Sequence, residues 1–315
     1  MKTLIIHHDD CLRHDTGPQH PERPDRVSAV LRAVSGLPGT ETLPAPRATA
    51  EQVERAHPAA YRERLADLEP TSQPAAGQLA ERVALDPDTW LSAGSLDAAL
   101  RGSGAACFAI DQIYAGRARN AFCVTRPPGH HAARETAMGF CLLNHAAVAA
   151  RHAQAAYGAQ RVAILDFDVH HGNGTQALFE NSPDVLYVSS HQDPLYPGTG
   201  HIDETGCGNI VNMPLQPGSG SAKFRAAWFE RGLPALDDFA PDLVILSAGF
   251  DAHRRDPLGQ LELEDADYGW ITAEIRALAE RACDGRLVSV LEGGYDLEAL
   301  AGASIEHVQA LRHGL

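Results

Sequence analysis

The 315-residue chain predicts an α/β protein with a mostly parallel sheet covered by helices on both faces. Three observations carry that reading. Short apolar runs rich in branched residues alternate with segments of helical periodicity, the pattern of strands joined by crossover helices. The runs are close to continuously apolar, as strands buried on both faces must be. Each also ends in Ser, Gly or another polar residue, and in open sheets of this kind ligands bind beyond the carboxyl ends of the strands. The length predicts one large domain over residues 1–315.

The elements follow in order. Thr3 to His8 reads as the first strand, followed by a loop, HDTGPQHPERPDR, crowded with turn formers and ionisable groups. Val27, Val30, Leu31 and Val34 then fall at helical spacing, and Gly36 to Pro46 breaks the pattern. Thr49 with Gln52 fits a capping box for a helix carrying Val53, and the polar stretch Glu69 to Gln78, with two prolines, reads as a surface loop. From Ser92 to Ala115, alanine and glycine around Leu96, Leu100, Phe108 and Ile113 predict helices packed closely on the sheet. Ala121 to Thr125 is a strand running into RPPGHHA, and Asn144 to Tyr157 an alanine-rich helix leading to the central strand, Val162 to Phe167. Further strands are expected at Val185 to Ser190, Leu243 to Ala248 and Leu287 to Leu291. Helical patterns carry Ile271, Ile275, Leu278 and Ala282, then Leu297, Leu300, Val308 and Leu311.

Composition narrows the function. With 26 basic against 41 acidic residues the formal charge is -15, which argues against a nucleic-acid or anionic-membrane surface and permits a cationic substrate. The six cysteines form no Cys-x-x-Cys pair, so reduced thiols are expected rather than a disulfide framework or thiolate zinc site. The N-terminus lacks a basic start followed by an apolar stretch, and no run is long enough to span a bilayer, so a soluble cytoplasmic protein is expected.

The chemistry concentrates in DFDVHHGNGT. Side chains alternate along a strand, so Asp166, Asp168 and His170 share one face while the extended geometry holds, and Phe167 and Val169 face the other way. Asp-x-His suits zinc, cobalt or iron(II), although alone it reads more simply as a hydrogen-bonded strand end. Asp251, after the strand LVILSAGF, could bring a third ligand, and two Asp with one His leave a coordination position open for water and substrate. RPPGHHA sets His130 beside His131, where neutral imidazole is a natural acceptor for the proton of an activated water. In EGGYD, Tyr295 follows two glycines and could donate a hydrogen bond to a developing oxyanion. Plainer accounts exist for each: a helix cap for Asp251, a solvated pair for the histidines, a core position for the tyrosine.

Together and in this order, HPERPDR, RPPGHHA, GFCLLNHAA, DFDVHHGNGT, PGTG, SAGFDAHRRDPLG and EGGY resemble the histone deacetylase superfamily, including its bacterial deacetylase-like amidohydrolases. HPERPDR, and Asn173 where class I members have Asp, make it similar to class II. The resemblance implies the arginase-deacetylase fold, with a parallel sheet of about eight strands. It implies a zinc-dependent deacetylase acting on an acylated amine, with Asp168, His170 and Asp251 as metal ligands, ligands that also accept iron(II). His131 is then the general base and acid, oriented by Asn173, and His130 its electrostatic partner, steadied by Asp166. Tyr295 and the metal polarise the acyl carbonyl. The resemblance further suggests one potassium held by Asp166, Asp168, the carbonyl of His170 and the hydroxyl of Ser189, and a second held by carbonyls near Phe179, Ser182 and Val185. Gly139, Phe140 and Tyr196 would wall a narrow substrate channel, and Arg26 would line an exit path for acetate, though it also fits a solvated helix face.

Polyamine-specific relatives place Glu in the DPxG segment, where this chain has Leu258, which favours acyl-lysine or a similar acylated amine over acetylpolyamine. Asp193, Asp203 and Glu204 form a candidate acidic rim. A binuclear manganese ureohydrolase is the nearest rival, but Gly172 stands where its second carboxylate belongs, and Asp251 is followed by Ala252 and His253. A non-catalytic acyl-amine sensor is the rival from another class.

Overall fold

The computed structural model describes residues 2–72 and 80–312. Of the loop expected over Glu69 to Gln78, residues 73–78 lie outside the described residues. In chain order the elements are β1 (Thr3–His7), α1 (Asp25–Val34), β2 (Thr40–Pro44), α2 (Ala50–Glu54), α3 (Ala59–Leu68), β3 (Arg82–Ala84), β4 (Trp90–Ser92), α4 (Ser95–Tyr114), β5 (Asn120–Cys123) and α5 (His145–Tyr157). They continue as β6 (Val162–Asp166), α6 (Asn173–Phe179), β7 (Val185–Gln192), β8 (Ile210–Leu215), α7 (Ser221–Ala227), α8 (Leu233–Phe239), β9 (Leu243–Ala248), α9 (Asp265–Cys283), β10 (Leu287–Leu291) and α10 (Leu297–Arg312).

Eight strands form one sheet in the order β2-β1-β5-β10-β9-β6-β7-β8, all paired in parallel, and β3 and β4 make a separate antiparallel pair. Alternation along each strand divides the interior in two. Ala163 and Leu165 face a core completed by Val27, Val30 and Val34 of α1 and by Ile271 and Ile275 of α9. Val162 and Ile164 face the other core, built from the small residues of α4 and α5. Small residues let those helices approach the sheet closely, as the alanine-rich sequence leads one to expect.

Four corrections to the sequence reading have physical causes. Gly36 to Pro46 contains a strand, β2, and a second unread strand is β8. Both are sheet edges, and β2 carries polar residues because it is half exposed. Ser92 to Ala115 holds one continuous helix, α4, after the short strand β4. Its two glycines mark contacts rather than breaks: a Cβ at Gly104 would collide with the Pro46–Ala48 main chain, and one at Gly102 with the His145 imidazole. The central strand ends at Asp166, one residue short of Phe167, yet Phe167 and Val169 still pack into the α1 and α9 core. Arg26 is fully buried, so its solvated-face reading fails. The capping box of α2 is present as read, with Thr49 Oγ1 accepting from Gln52 N–H and Gln52 Oε1 from Thr49 N–H.

The HPERPDR loop is tied into the sheet by a buried ionic cluster. Glu22 accepts two bonds from Arg126, at 2.7 and 2.6 Å, and one from Arg26 at 3.1 Å. Arg26 crosses to the end of β10 and donates to the carbonyls of Gly294, at 2.6 Å, and Glu292. All three charged side chains are fully buried. Burial alone would raise the Glu22 pKa, but Arg126 and Arg26 outweigh it and lower it from 4.5 to about 2.

Glu22→Gln leaves two buried guanidiniums short of their counter-charge and should cost about 3–5 kcal/mol in urea unfolding at pH 7. The pH dependence has a definite sign. Below pH 4.5 the unfolded chain takes up a proton at this position and the native chain does not, so Glu22 stabilisation is lost as pH falls toward 2. The variant should therefore show a shallower loss of stability over that window than the parent.

Candidate active site

The four central strands β5, β10, β9 and β6 lie side by side, and the segments leaving their carboxyl ends supply the site: RPPGHHA, EGGYD, GFDA and DVHHGN. Asp168, His170 and Asp251 converge there, with one ligand atom from each lying within 4.8 Å of the others. His170 Nδ1 is 3.1 Å from Asp168 Oδ1 and 3.1 Å from Asp251 Oδ2. Main-chain donors aim the carboxylates: Asp168 Oδ2 accepts from Gly293 N–H at 2.8 Å, and Asp251 Oδ1 from Val169 N–H at 2.8 Å. Gly249 and Gly293 permit this approach, because a Cβ at either would run into these carboxylates.

Electrostatics mark the same point. Burial, reinforced by Asp168, raises the Asp251 pKa to about 7 against the pull of His170. Burial lowers the His170 pKa, but Asp168 and Asp251 overcome it and raise it to about 10. Two buried carboxylates with one imidazole thus call for positive charge between them, and their donor set of two oxygens and a nitrogen fits a divalent ion of the zinc or iron(II) type.

The paired histidines sit beside this cluster with their pKa values shifted in opposite directions. His130 Nδ1 is 3.0 Å from Asp166 Oδ2, and the Tyr187 hydroxyl donates to the same oxygen at 3.0 Å. Burial disfavours the His130 imidazolium, yet Asp168 and Asp166 raise its pKa to about 10. For His131, burial, then His130 and His170, push the pKa well below 6.5. His131 Nδ1 meets Asn173 Oδ1 at 2.8 Å, which assigns the proton to Nδ1.

A cavity of about 240 Å³ opens onto these groups, lined by His130, His131, His170, Gly139, Phe140, Tyr196, Leu258 and Tyr295, together with Asp88, Pro128 and Leu195. Gly139 and Phe140 both have positive φ, and a side chain at Gly139 would strike the His131 ring. Phe140 adopts this unfavourable backbone with its N–H held by Thr89 Oγ1 at 2.9 Å. Tyr295 is fixed from behind: Asp256 Oδ2 accepts its N–H at 2.7 Å, and the Arg26 guanidinium lies 4.8 Å from its ring centroid.

Sequence reasoning missed several contributors. Glu292 accepts from the N–H groups of Gly129 at 2.6 Å and His130 at 3.1 Å, bolting the RPPGHHA turn to β10. Glu22, Tyr187 and Asp88 are likewise new, and only Glu22 and Glu292 lie in motifs that could have drawn attention to them. Asp88 is among the residues that line the cavity, and Asp193, Asp203 and Glu204, read as an acidic rim, are not among them. Glu204 instead accepts from Gln176 Nε2, Gly200 N–H and His201 N–H. Asp166 and Ser189 are register partners on β6 and β7. The carbonyls of Phe179, Ser182 and Val185 converge on Asn209 Nδ2. All six cysteines are free, and among the described residues no helix is long and apolar enough to cross a membrane.

Residues 20–311 match the histone deacetylase domain family. The chain is 40% identical over 320 residues to a histone deacetylase-like amidohydrolase of Pseudomonas aeruginosa, covering 93% of this chain and 82% of that one. It is 38% identical over 307 residues to a probable deacetylase of Archaeoglobus fulgidus, covering 95% and 82% respectively. The crystal structure of the HDA15 HD domain matches with a TM-score of 0.88 at 36% identity, over 98% of this chain and 90% of that chain.

Gly293→Ala tests the close approach of main chain to carboxylates. The added methyl should displace Asp168 and Asp251, weakening divalent-ion binding by about 10- to 100-fold in a chelator competition while circular dichroism stays native.

Proposed function

The chain belongs to the histone deacetylase family of hydrolytic deacetylases, and on that premise we propose that it uses one divalent ion, zinc or alternatively iron(II), to hydrolyse N-acyl-amines. The observation that carries this reading is the convergence of Asp168, His170 and Asp251 at a cavity that His131 and Tyr295 also line. Three protein ligands leave room for water and substrate. When bound there, the ion acts as a Lewis acid toward the acyl carbonyl and makes a coordinated water more acidic.

The protein groups divide the remaining work. His131, kept neutral by burial and by His130 and His170, accepts the proton of the attacking water at Nε2 and later delivers it to the leaving amine. Asn173 Oδ1 holds the tautomer that leaves Nε2 free. His130, protonated against Asp166, places positive charge beside the reaction, with its ring centroid 4.0 Å from that of His131. Burial, followed by weaker charge effects, raises the Tyr295 pKa well above 10, so its hydroxyl stays a donor for the tetrahedral oxyanion.

The substrate is an acyl-lysine side chain or a similar linear acylated amine, whose methylenes suit walls made by Phe140, Tyr196, Leu195 and Leu258. Asp88 favours a second reading, an acetylpolyamine, by offering one carboxylate to a distal ammonium. A potassium ion between Asp166, Asp168, the His170 carbonyl and Ser189 is part of the proposal. Burial raises the Asp166 pKa there, and its register partner Ser189 is equally buried. The formal charge of -15 fits a cytoplasmic enzyme of small or peptidic amines rather than a nucleic-acid binder.

His131→Ala should lower kcat on an acetyl- or trifluoroacetyl-lysine peptide by about 10²- to 10⁴-fold with one metal equivalent retained. Tyr295→Phe should lower it about 10²- to 10³-fold while hydroxamate affinity persists. Near-normal turnover in the first, or two equivalents of manganese in the parent, would remove the mechanism. Leu258→Glu should shift kcat/KM from acetyl-lysine peptide toward acetylpolyamine by at least about tenfold in a paired assay, because it adds a partner for the distal ammonium.

A further inference from the structure

The carbonyls of Phe179, Ser182 and Val185, between the end of α6 and the start of β7, are the set expected to surround a second potassium. Their focus is filled by this chain's own nitrogen. Asn209 Nδ2 lies 2.8, 3.0 and 2.7 Å from the three oxygens. These are hydrogen-bond lengths, and they leave no volume for an ion at the same point. The orientation of the amide is not arbitrary, since exchanging its nitrogen and oxygen would set Oδ1 against three carbonyl oxygens. In the orientation found, Oδ1 accepts from the Cys207 thiol at 3.2 Å, and the Asn209 carbonyl accepts from Tyr187 N–H at 2.9 Å. Formal positive charge is already near: the Arg151 guanidinium lies 4.8 Å from the Phe179 ring centroid and donates to Ser182 Oγ at 2.9 Å. The residues present do not fit a second cation.

We propose that the Asn209 carboxamide is a built-in replacement for that ion, so that the turn joining α6 to β7 is held without monovalent salt. Three inward-facing carbonyl dipoles need a positive centre, and the two amide N–H groups, one shared, supply it. The arrangement reaches the active site through β7, because Tyr187, bonded to the Asn209 carbonyl, also donates to Asp166. It does not depend on the reaction assigned above.

Thallium(I), a potassium mimic with a strong anomalous signal, tests the replacement in crystals of the parent and of Asn209→Ala. The parent should show no thallium among the three carbonyls, and the variant should gain one there. In solution the variant should melt lower than the parent in tetramethylammonium chloride and recover roughly 2–4 °C more than the parent does on exchange into potassium chloride. Thallium between the carbonyls of the parent, with Asn209 turned away, overturns the proposal. So does a variant that stays empty and melts like the parent in both salts. If the variant does not fold, the parent crystal alone still decides.

Discussion

Two fully buried carboxylates, Asp168 and Asp251, meet one imidazole at the floor of the cavity, and the architecture around them follows from the need to hold like charges together. Unit charges about 4 Å apart repel by roughly 4 kcal/mol at an effective dielectric constant near 20, and burial removes the water that would relieve it. Main-chain N–H groups from Val169 and Gly293 stabilise the outer oxygens, and the inner ones face the His170 imidazole, where a divalent ion is proposed. Such main-chain donors cannot rotate away. Their positions come from β6 and β10, the two parallel strands that flank β9, which makes the sheet itself the scaffold of the site.

The same economy of charge extends outward. Glu292 spans from β10 to the RPPGHHA turn, and Glu22 spans from the N-terminal loop to Arg126 and Arg26. His130 and His131 are neighbours in sequence and about as buried as each other, yet their environments shift their pKa values in opposite directions. Carboxylates face the first, and cationic or neutral rings and an amide face the second. Such divergence of two adjacent titrating groups supports the proton-transfer role proposed for His131.

How much of this is legible in the sequence depends on how local each signal is. The central strands are readable because burial on both faces makes Val162 to Leu165 or Leu243 to Leu246 continuously apolar. The edges are not: β2 is half exposed and carries Thr40 and Glu41, and the apolar run of β8 is interrupted by Asn212 and Pro214. Asp168 and His170 stand two apart and can be read as a pair, and family resemblance joins Asp251 to them. Glu22, Glu292 and Asn209 escape such reading for a common reason. Apart from the Arg26 that pairs with Glu22 four positions on, the partners that matter are main-chain groups or side chains far away in sequence, and carbonyl acceptors leave no trace in residue identity. Asp88 is hidden by distance alone, being brought to the cavity by a loop between two short strands.

The arginine beneath Tyr295 also bears on how the molecule is assembled. Arg26 bonds to the carbonyl of Gly294, 268 positions later, and nothing nearer in sequence can replace that contact. During synthesis the segment bearing Arg26 leaves the ribosome long before β10 does, so its guanidinium must wait in solvent, paired at most with Glu22. Contacts of such long range form late, after local helices and neighbouring strand pairs. Catalytic competence is therefore among the last properties the nascent chain acquires, and a partly folded molecule is kept inert by the order in which its ends meet.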